Sequence, residues 1–316
     1  MTGAAAGVHL PWAQVPDRVQ HWAAAVGGAP PNGVIDLHGG FSPGAAARLG
    51  FPSGPDIFVK AVGAALNPES PKMHRREGEI SAAMPASSFW PRLLDTYDDG
   101  DWVALAFEAS EGRAPAHPWL ASELQAVLRA LERMHGELTP SPSPTIESAV
   151  VRRQSMFGGW RALASADTSP FGLDDWSQRN LDGLADLESA WPEACVGSSL
   201  LHGDIRSDNI LVEPGGTGVV FVDWPHAAVG TPALDVVCWA PSVVLEGGPE
   251  PEVLLAGHGP SRETDPDAVT AMLAAVAGFF TAHSLRPPPP GLPTLRAFQA
   301  AQGQVARDWL QRRTGW

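Results

Sequence analysis

Apolar positions fall into two regimes along the chain. Up to about residue 108 they come in short runs bounded by Gly, Pro, Asn and Asp: Val34 to Leu37, Ile57 to Val62, Arg92 to Leu94 and Trp102 to Phe107. Such runs predict strands. Asp99-Gly100 between the last two predicts a hairpin turn beginning at Tyr97. One helix is predicted over His74 to Met84, after the polar loop Asn67 to Pro71, and a short one near Val19 to Val26. Further on the spacing becomes helical. Leu124, Val127, Leu128, Leu131 and Met134 share one face of a helix over Ser122 to Gly136, where His135 reads as a capping or packing residue. A second helix is predicted over Asp174 to Ala190, with Leu181, Leu184 and Leu187 inward. A third starts at Asp265-Pro266, as N-cap and first-turn proline, and runs to Phe280. The last carries Leu295, Phe298, Val305 and Trp309. Thr139 to Thr145 and Arg286 to Pro293 read as connectors.

Between these helices lies Leu200 to Trp224, a polar loop followed by two short strands around a Gly-rich turn. It contains His202-Gly203-Asp204, Asn209 five residues after the Asp, and Asp223 at the end of the apolar run Val219 to Val222. In phosphoryl transfer a loop Asp takes the proton of the attacking hydroxyl. An Asn five residues on, and an Asp after a strand, hold the metal that bridges the nucleotide phosphates. Upstream, the stretch His38 to Gly44 contains Gly39, Gly40 and Gly44 with Ser42, and a lysine-bearing strand with Lys60 follows. Glycines there let backbone N–H groups approach phosphates. The stretch lacks the Gly-Lys-Ser/Thr of a Walker A loop.

The HGDxxxxN pattern with a strand-end Asp resembles the aminoglycoside phosphotransferase and choline kinase superfamily. His-Gly-Asp replaces the His-Arg-Asp of protein kinases, and Asp223-Trp224 replaces Asp-Phe-Gly. The resemblance implies an α+β, bilobal protein-kinase-like fold: an antiparallel-sheet nucleotide-binding lobe over 1–108 and a mainly helical catalytic and substrate-binding lobe over 109–316. It implies ATP, or GTP, as phosphoryl donor with Mg²⁺. Gly40, Ser42, Gly44 and Lys60 would meet the phosphates. Glu77 or Glu79 would pair with Lys60; they lie about 200° apart on a helix, and the family's Arg-Glu pair selects Glu77. The backbone around Phe107, Glu108 and Ala109 would meet the base. Asp204 would be the acceptor-side base, with Arg206 beside the γ-phosphate; Asn209 and Asp223 would hold Mg²⁺, and His202 and Asp235 would brace the loop. Acceptor residues would come from the helical region: Asp174, Asp175, Trp239, Glu250 and Glu252. Trp160, Phe171 and Trp176 could line an acceptor pocket, though helical spacing favours core. The implied acceptor is a small hydroxyl-bearing molecule, an antibiotic such as an aminoglycoside or cationic peptide. A biosynthetic or metabolic kinase is the alternative, and a non-enzymatic nucleotide-binding regulator the third reading.

Composition narrows the partners. A net charge of −14 argues against nucleic acid or an anionic membrane and permits a cationic acceptor. A length of 316 residues favours two lobes. Cys195 and Cys238 read as two free thiols in a reducing compartment. The apolar run Ala268 to Phe280 is too short to span a bilayer, and no signal-peptide pattern opens the chain. A cytoplasmic protein, monomeric or weakly dimeric, is expected. Lys60 and Lys72 are the only lysines, so a lysine kept inside a strand points to a specific task for Lys60.

Overall fold

A computed structural model describes residues 9–37, 43–166, 172–216, 218–289 and 293–316. In chain order the described elements are α1 (Asp17–Val26), β1 (Gly33–Asp36), β2 (Ala45–Gly50), β3 (Ile57–Gly63), α2 (Ser70–Ala83), β4 (Leu93–Asp98) and β5 (Trp102–Glu108). There follow α3 (Ala121–Glu137), α4 (Ala149–Arg153), α5 (Gly159–Ala164), α6 (Asp175–Arg179), α7 (Leu181–Ser189), α8 (Trp191–Ala194) and β6 (Ser199–Leu201). The rest are β7 (Ile210–Val212), β8 (Val219–Phe221), β9 (Ala228–Gly230), α9 (Ala233–Leu245), α10 (Pro251–Gly257), α11 (Gly259–Arg262), α12 (Pro266–Ser284) and α13 (Leu295–Thr314).

Local chemistry moves three expected boundaries. The Asn67 carboxamide accepts the N–H groups of Glu69 and Ser70 at 2.8 and 3.1 Å, and Pro71 suits a first turn, so α2 starts at Ser70. The hairpin turn contracts to Asp99–Asp101, with Gly100 at φ 91°, and Tyr97 belongs to β4. The helix expected over 174–190 breaks at Asn180 into α6 and α7; Leu184 is buried, while Leu181 and Leu187 are half-buried.

The chain forms two compact units, Met1–Ala114 with Ser207–His226, and Pro115–Arg206 with Ala227–Trp316. A single boundary after residue 108 therefore misses Ser207–His226. That segment joins the first unit through backbone pairing: Arg113 and Val212 exchange both N–H···O bonds at 3.1 and 2.7 Å, and Phe221 donates to the Phe89 carbonyl at 2.7 Å.

In the first unit the sheet order is β1-β2-β3-β5-β4, antiparallel throughout. β3 alternates buried Ile57, Val59 and Ala61 with Phe58 and Lys60 on the other face. The buried face packs with Trp12, Val19 and Ala23 of the N-terminal segment into one core. β7 and β8 form a separate hairpin. In the second unit the nearly wholly buried α12 packs against α5, α7, α9 and α13. Asp265 caps it and Pro266 opens it. Trp160, Trp191, Trp239 and Trp309 are fully enclosed there, each adding about 2–3 kcal/mol of burial. No described helix is long and apolar enough to cross a membrane.

Candidate active site

In the first unit, Lys60 stands on the face of β3 opposite the core. Its ammonium makes ion pairs with Glu77 of α2 and, at 2.7 Å, with Asp223. Glu79 faces outward, so helix geometry settles which glutamate meets the lysine. The second Glu77 oxygen accepts the Trp224 N–H at 3.2 Å. One carboxylate thus grips both the lysine and the chain just after Asp223. Arg76 adds a bond to the Pro225 carbonyl at 3.1 Å, and Trp224 packs edge-on against Trp90. Asp223 itself has φ 70°, a left-handed conformation that costs a non-glycine residue and that survives where its surroundings fix it.

Burial pulls the Lys60 ammonium down, but Asp223 and then Glu77 outweigh it and hold the lysine firmly protonated. Burial pushes the Glu77 carboxyl up, to about 7, with Lys60 opposing and Asp223 adding to the rise. Glu77 and Asp223 thus share the Lys60 ammonium. Asn209 lies alongside: its carbonyl accepts the Val222 N–H at 3.0 Å. A carboxylate with a neighbouring amide oxygen is a donor set for a hard divalent ion that takes its other ligands from phosphate and water. His74, one turn before Glu77, is buried, and that burial, helped by Lys60, lowers it to about 3; it is neutral and donates Nδ1–H to the Ser70 carbonyl of its own helix at 3.1 Å.

Gly40 and Ser42 lie outside the described residues. Gly44 is described, and its glycine has a structural reason: φ is 121°, and a Cβ would come within 2.5 Å of the Ala61 carbonyl of β3. Phe107 is buried at the end of β5 with Lys60 6.0 Å from its ring centre. The N–H of Glu108 goes to the Arg92 carbonyl at 3.0 Å and that of Ala109 to the Asp56 carbonyl at 3.4 Å. Those two donors have partners within the protein, so a base meeting this stretch would be read by its other backbone groups. The Glu108 carboxylate pairs with Arg92.

In the second unit, Asp204 follows a tightly held turn. The Asp235 carboxylate accepts the N–H of His202 at 2.8 Å on one oxygen and that of Gly203 at 2.9 Å on the other. Gly203 has φ 80°. The Asp204 N–H reaches His202 Nδ1 at 3.3 Å, and Arg153 of α4 donates to the Gly203 carbonyl. Asp235 sits in the first turn of α9, 2% exposed, and also accepts from His135 Nε2 at 3.1 Å. Burial works against its charge, but these donors prevail and hold its carboxyl below the usual range. Arg206 places its guanidinium 5.9 Å from the Phe298 ring of α13.

The expected acceptor residues are mostly occupied elsewhere in this unit. Asp174 caps α6, accepting the Ser177 N–H at 2.8 Å, and pairs with Arg307 at 2.9 Å. Glu250 pairs with Arg312 at 2.7 Å, and Glu252 with Arg313 at 2.6 Å and with the Trp309 indole at 2.8 Å. Trp239 is fully buried, edge-on to Trp119. Asp175 lies exposed in the first turn of α6. Trp160 and Trp176 are core residues bonded to the carbonyls of Ala274 and Trp316, at 2.9 and 3.2 Å; Phe171 lies outside the described residues.

Sequence reasoning missed the partners of these loops. Nothing in the local pattern marks Arg153 or His74, and His135 signals itself only by ending an amphipathic helix.

The sequence model of the phosphotransferase enzyme family matches residues 58–263, more than half of the chain. No curated protein matches it. Among solved structures, aminoglycoside phosphotransferase APH(4)-Ia is 16% identical with a TM-score of 0.57, over 94% of this chain and 98% of that one. The aminoglycoside phosphotransferase of Alicyclobacillus acidocaldarius is 15% identical with a TM-score of 0.54, over 85% and 89%. Amicoumacin kinase hAmiN, solved with AMP-PNP, Ca²⁺ and Ami, is 11% identical with a TM-score of 0.57, over 93% and 94%. At these identities the likeness carries the fold, a kinase-like α+β architecture.

Proposed function

The chain belongs to the phosphotransferase enzyme family, and from that premise we propose that it moves the γ-phosphate of ATP to a hydroxyl of a small molecule. The observation that carries this reading is the Lys60–Glu77–Asp223 triad, in which Glu77 is buried and Asp223 reaches solvent. Lys60, steadied by Glu77, is suited to hold the α- and β-phosphates. Asn209 and Asp223 would hold Mg²⁺, which when bound neutralises phosphate charge. Asp204 accepts the proton of the acceptor hydroxyl as its oxygen bonds to phosphorus and ADP leaves. Arg206 remains a candidate for charge on the γ-phosphate. Positioning rather than covalent catalysis supplies most of the rate.

For the acceptor, the first reading is an antibiotic. APH(4)-Ia has been solved with hygromycin B and hAmiN with Ami. A second reading, a neutral hydroxylated metabolite, is favoured by one observation: Asp174, Glu250 and Glu252 already have arginine partners. The deciding experiment measures Mg²⁺-dependent ATP consumption against a panel of aminoglycosides, cationic peptide antibiotics, sugars, amino alcohols and nucleosides. Turnover with a cationic antibiotic supports the first reading and turnover with a neutral acceptor the second. ATP that neither binds nor is consumed with any acceptor would sink the phosphotransferase reading for this chain.

A further inference from the structure

The hydrogen-bonded network behind the Asp204 loop does not end at Asp235. His135 Nε2 meets Asp235 at 3.1 Å, His135 Nδ1 meets His258 Nε2 at 3.2 Å, and His258 Nδ1 meets the Ser261 hydroxyl at 2.7 Å. All four residues are at most 3% exposed. We propose that Ser261 and His258 are positioning residues that set the tautomer of His135 and, through Asp235, the backbone of the loop carrying Asp204. The proposal rests on the reading of Asp204 as the acceptor-side base.

The argument is one of donors and acceptors. A carboxylate only accepts, so His135 must present Nε2–H to Asp235. A neutral imidazole with one N–H then has a lone pair on Nδ1, and that atom needs a donor. His258 Nε2 is the atom that faces it, so His258 must carry its proton there. His258 Nδ1 is left as a lone pair and faces Ser261, whose hydroxyl rotates to donate. One proton arrangement therefore satisfies every contact with both rings neutral. If Ser261 accepted instead, His258 would carry Nδ1–H, its Nε2 would be a lone pair, and His135 would need a second proton. The polarity of the serine contact is thus tied to the charge of His135, the ring that meets Asp235. Burial lowers His258 to about 3, in keeping with a neutral ring.

Other titratable or charged side chains around the network are His202, beside Asp235, Arg262, next to Ser261, and Glu132 of α3, which accepts the Gly259 N–H at 3.1 Å. Glu132 fixes the start of α11 and hence where His258 and Ser261 stand. His258 has no motif around it in the sequence; only the fold brings it to His135, 123 positions earlier.

The test uses the full chain. Nitrogen-15 NMR of the histidine rings at pH 7 should show His135 and His258 both as neutral Nε2–H tautomers. Ser261→Ala should leave His258 as a tautomer mixture and raise amide exchange at His202 and Gly203 by roughly tenfold. His258→Leu, which offers His135 no donor, should do the same and lower Mg·ATP turnover with water as acceptor by roughly tenfold, with KM for ATP unchanged and a new pH dependence between pH 6 and 8. His258→Gln, whose amide can donate to His135, should restore both readouts. An imidazolium at His135, an Nδ1–H form at His258, or unchanged exchange in Ser261→Ala overturns the proposal, and the serine variant carries the test where His258→Leu does not fold. Asp204→Asn separates the two readings. It should lower turnover by about 10²–10⁴-fold and leave both tautomers as they are; near-wild-type turnover overturns the role of Asp204 and leaves the tautomer result standing.

Discussion

The two units each hold an aspartate loop, by opposite means. In the first, side-chain charge does the holding: Lys60 pairs with Asp223 itself, and Glu77 secures the lysine and the following backbone. In the second, the backbone is what is held: Asp235, itself bonded to His135, grips the N–H groups of His202 and Gly203 just before Asp204. The first arrangement is built on ion pairs about Asp223, so a cation bound there should act on it. The second is built on hydrogen bonds to Asp235, so its order depends on where the histidine protons sit.

The largest expected effect removes the group that the second arrangement serves. Asp204→Asn keeps the size and the turn but cannot take a proton, so phosphoryl transfer should fall about 10²–10⁴-fold. Nucleotide binding, assigned to the first unit, should stay within about twofold by calorimetry. Near-wild-type turnover of a true acceptor would remove Asp204 from the mechanism.

Next comes the metal side of the comparison. Asp223→Asn removes a full charge and an ion-pair partner of Lys60, whereas Asn209→Ala removes a neutral amide. Mg²⁺-dependent nucleotide affinity should therefore fall further in Asp223→Asn. Without Mg²⁺ the two variants should differ less. Titration of both with ATP, with and without Mg²⁺, measures the ranking, and equal losses would show that the charge of the Asp223 carboxylate is not what recruits the ion.

How far each arrangement could be read in the sequence follows from its chemistry. Lys60, Glu77 and Asp223 were legible because each sits in a local pattern, a strand, a helix or a strand end, whose order is itself informative. The choice of Glu77 over Glu79 needed only helical angle and a family habit. The network around Asp235 was legible only as far as Asp235, because residues joined across 100 and 123 positions leave no periodic trace. The acidic acceptor candidates misled for a related reason. Composition counts charges and cannot see that Arg307, Arg312 and Arg313 of one helix meet three of them. The partners of the Glu108 and Ala109 N–H groups were hidden likewise, since strand register decides which backbone donors remain.

Protons offer a subtler way to separate the units. Each has a buried histidine lowered by burial to about 3, His74 in the first and His258 in the second. A folded-state pKa below the unfolded value of about 6.5 means that the unfolded chain binds a proton the folded chain refuses. The stability contributed is present above about pH 6.5 and is lost as pH falls toward 3, at up to about 1.4 kcal/mol per pH unit for each ring. His74→Gln and His258→Gln should each flatten the dependence of urea-unfolding free energy on pH between 6 and 4, and the double variant should flatten it most. A slope unchanged in His258→Gln would mean that this ring is not buried neutral.

The smallest expected effect addresses the acceptor. Glu250 and Glu252 are more than half exposed and paired with Arg312 and Arg313 of α13. Surface pairs of this kind contribute about 0–1 kcal/mol, so Glu250→Gln with Glu252→Gln should shift stability by no more than about that. Their effect on a cationic acceptor should be small as well, because each carboxylate already has a cation beside it and the remaining field is screened within about 10 Å at 0.1 M salt. The acceptor KM should therefore change less than about twofold, with kcat unaltered. A several-fold rise in KM at constant kcat is the mark of lost uniform binding. Seen with a cationic acceptor and abolished at high salt, it would show that the arginines yield to the substrate and that the antibiotic reading is the better one.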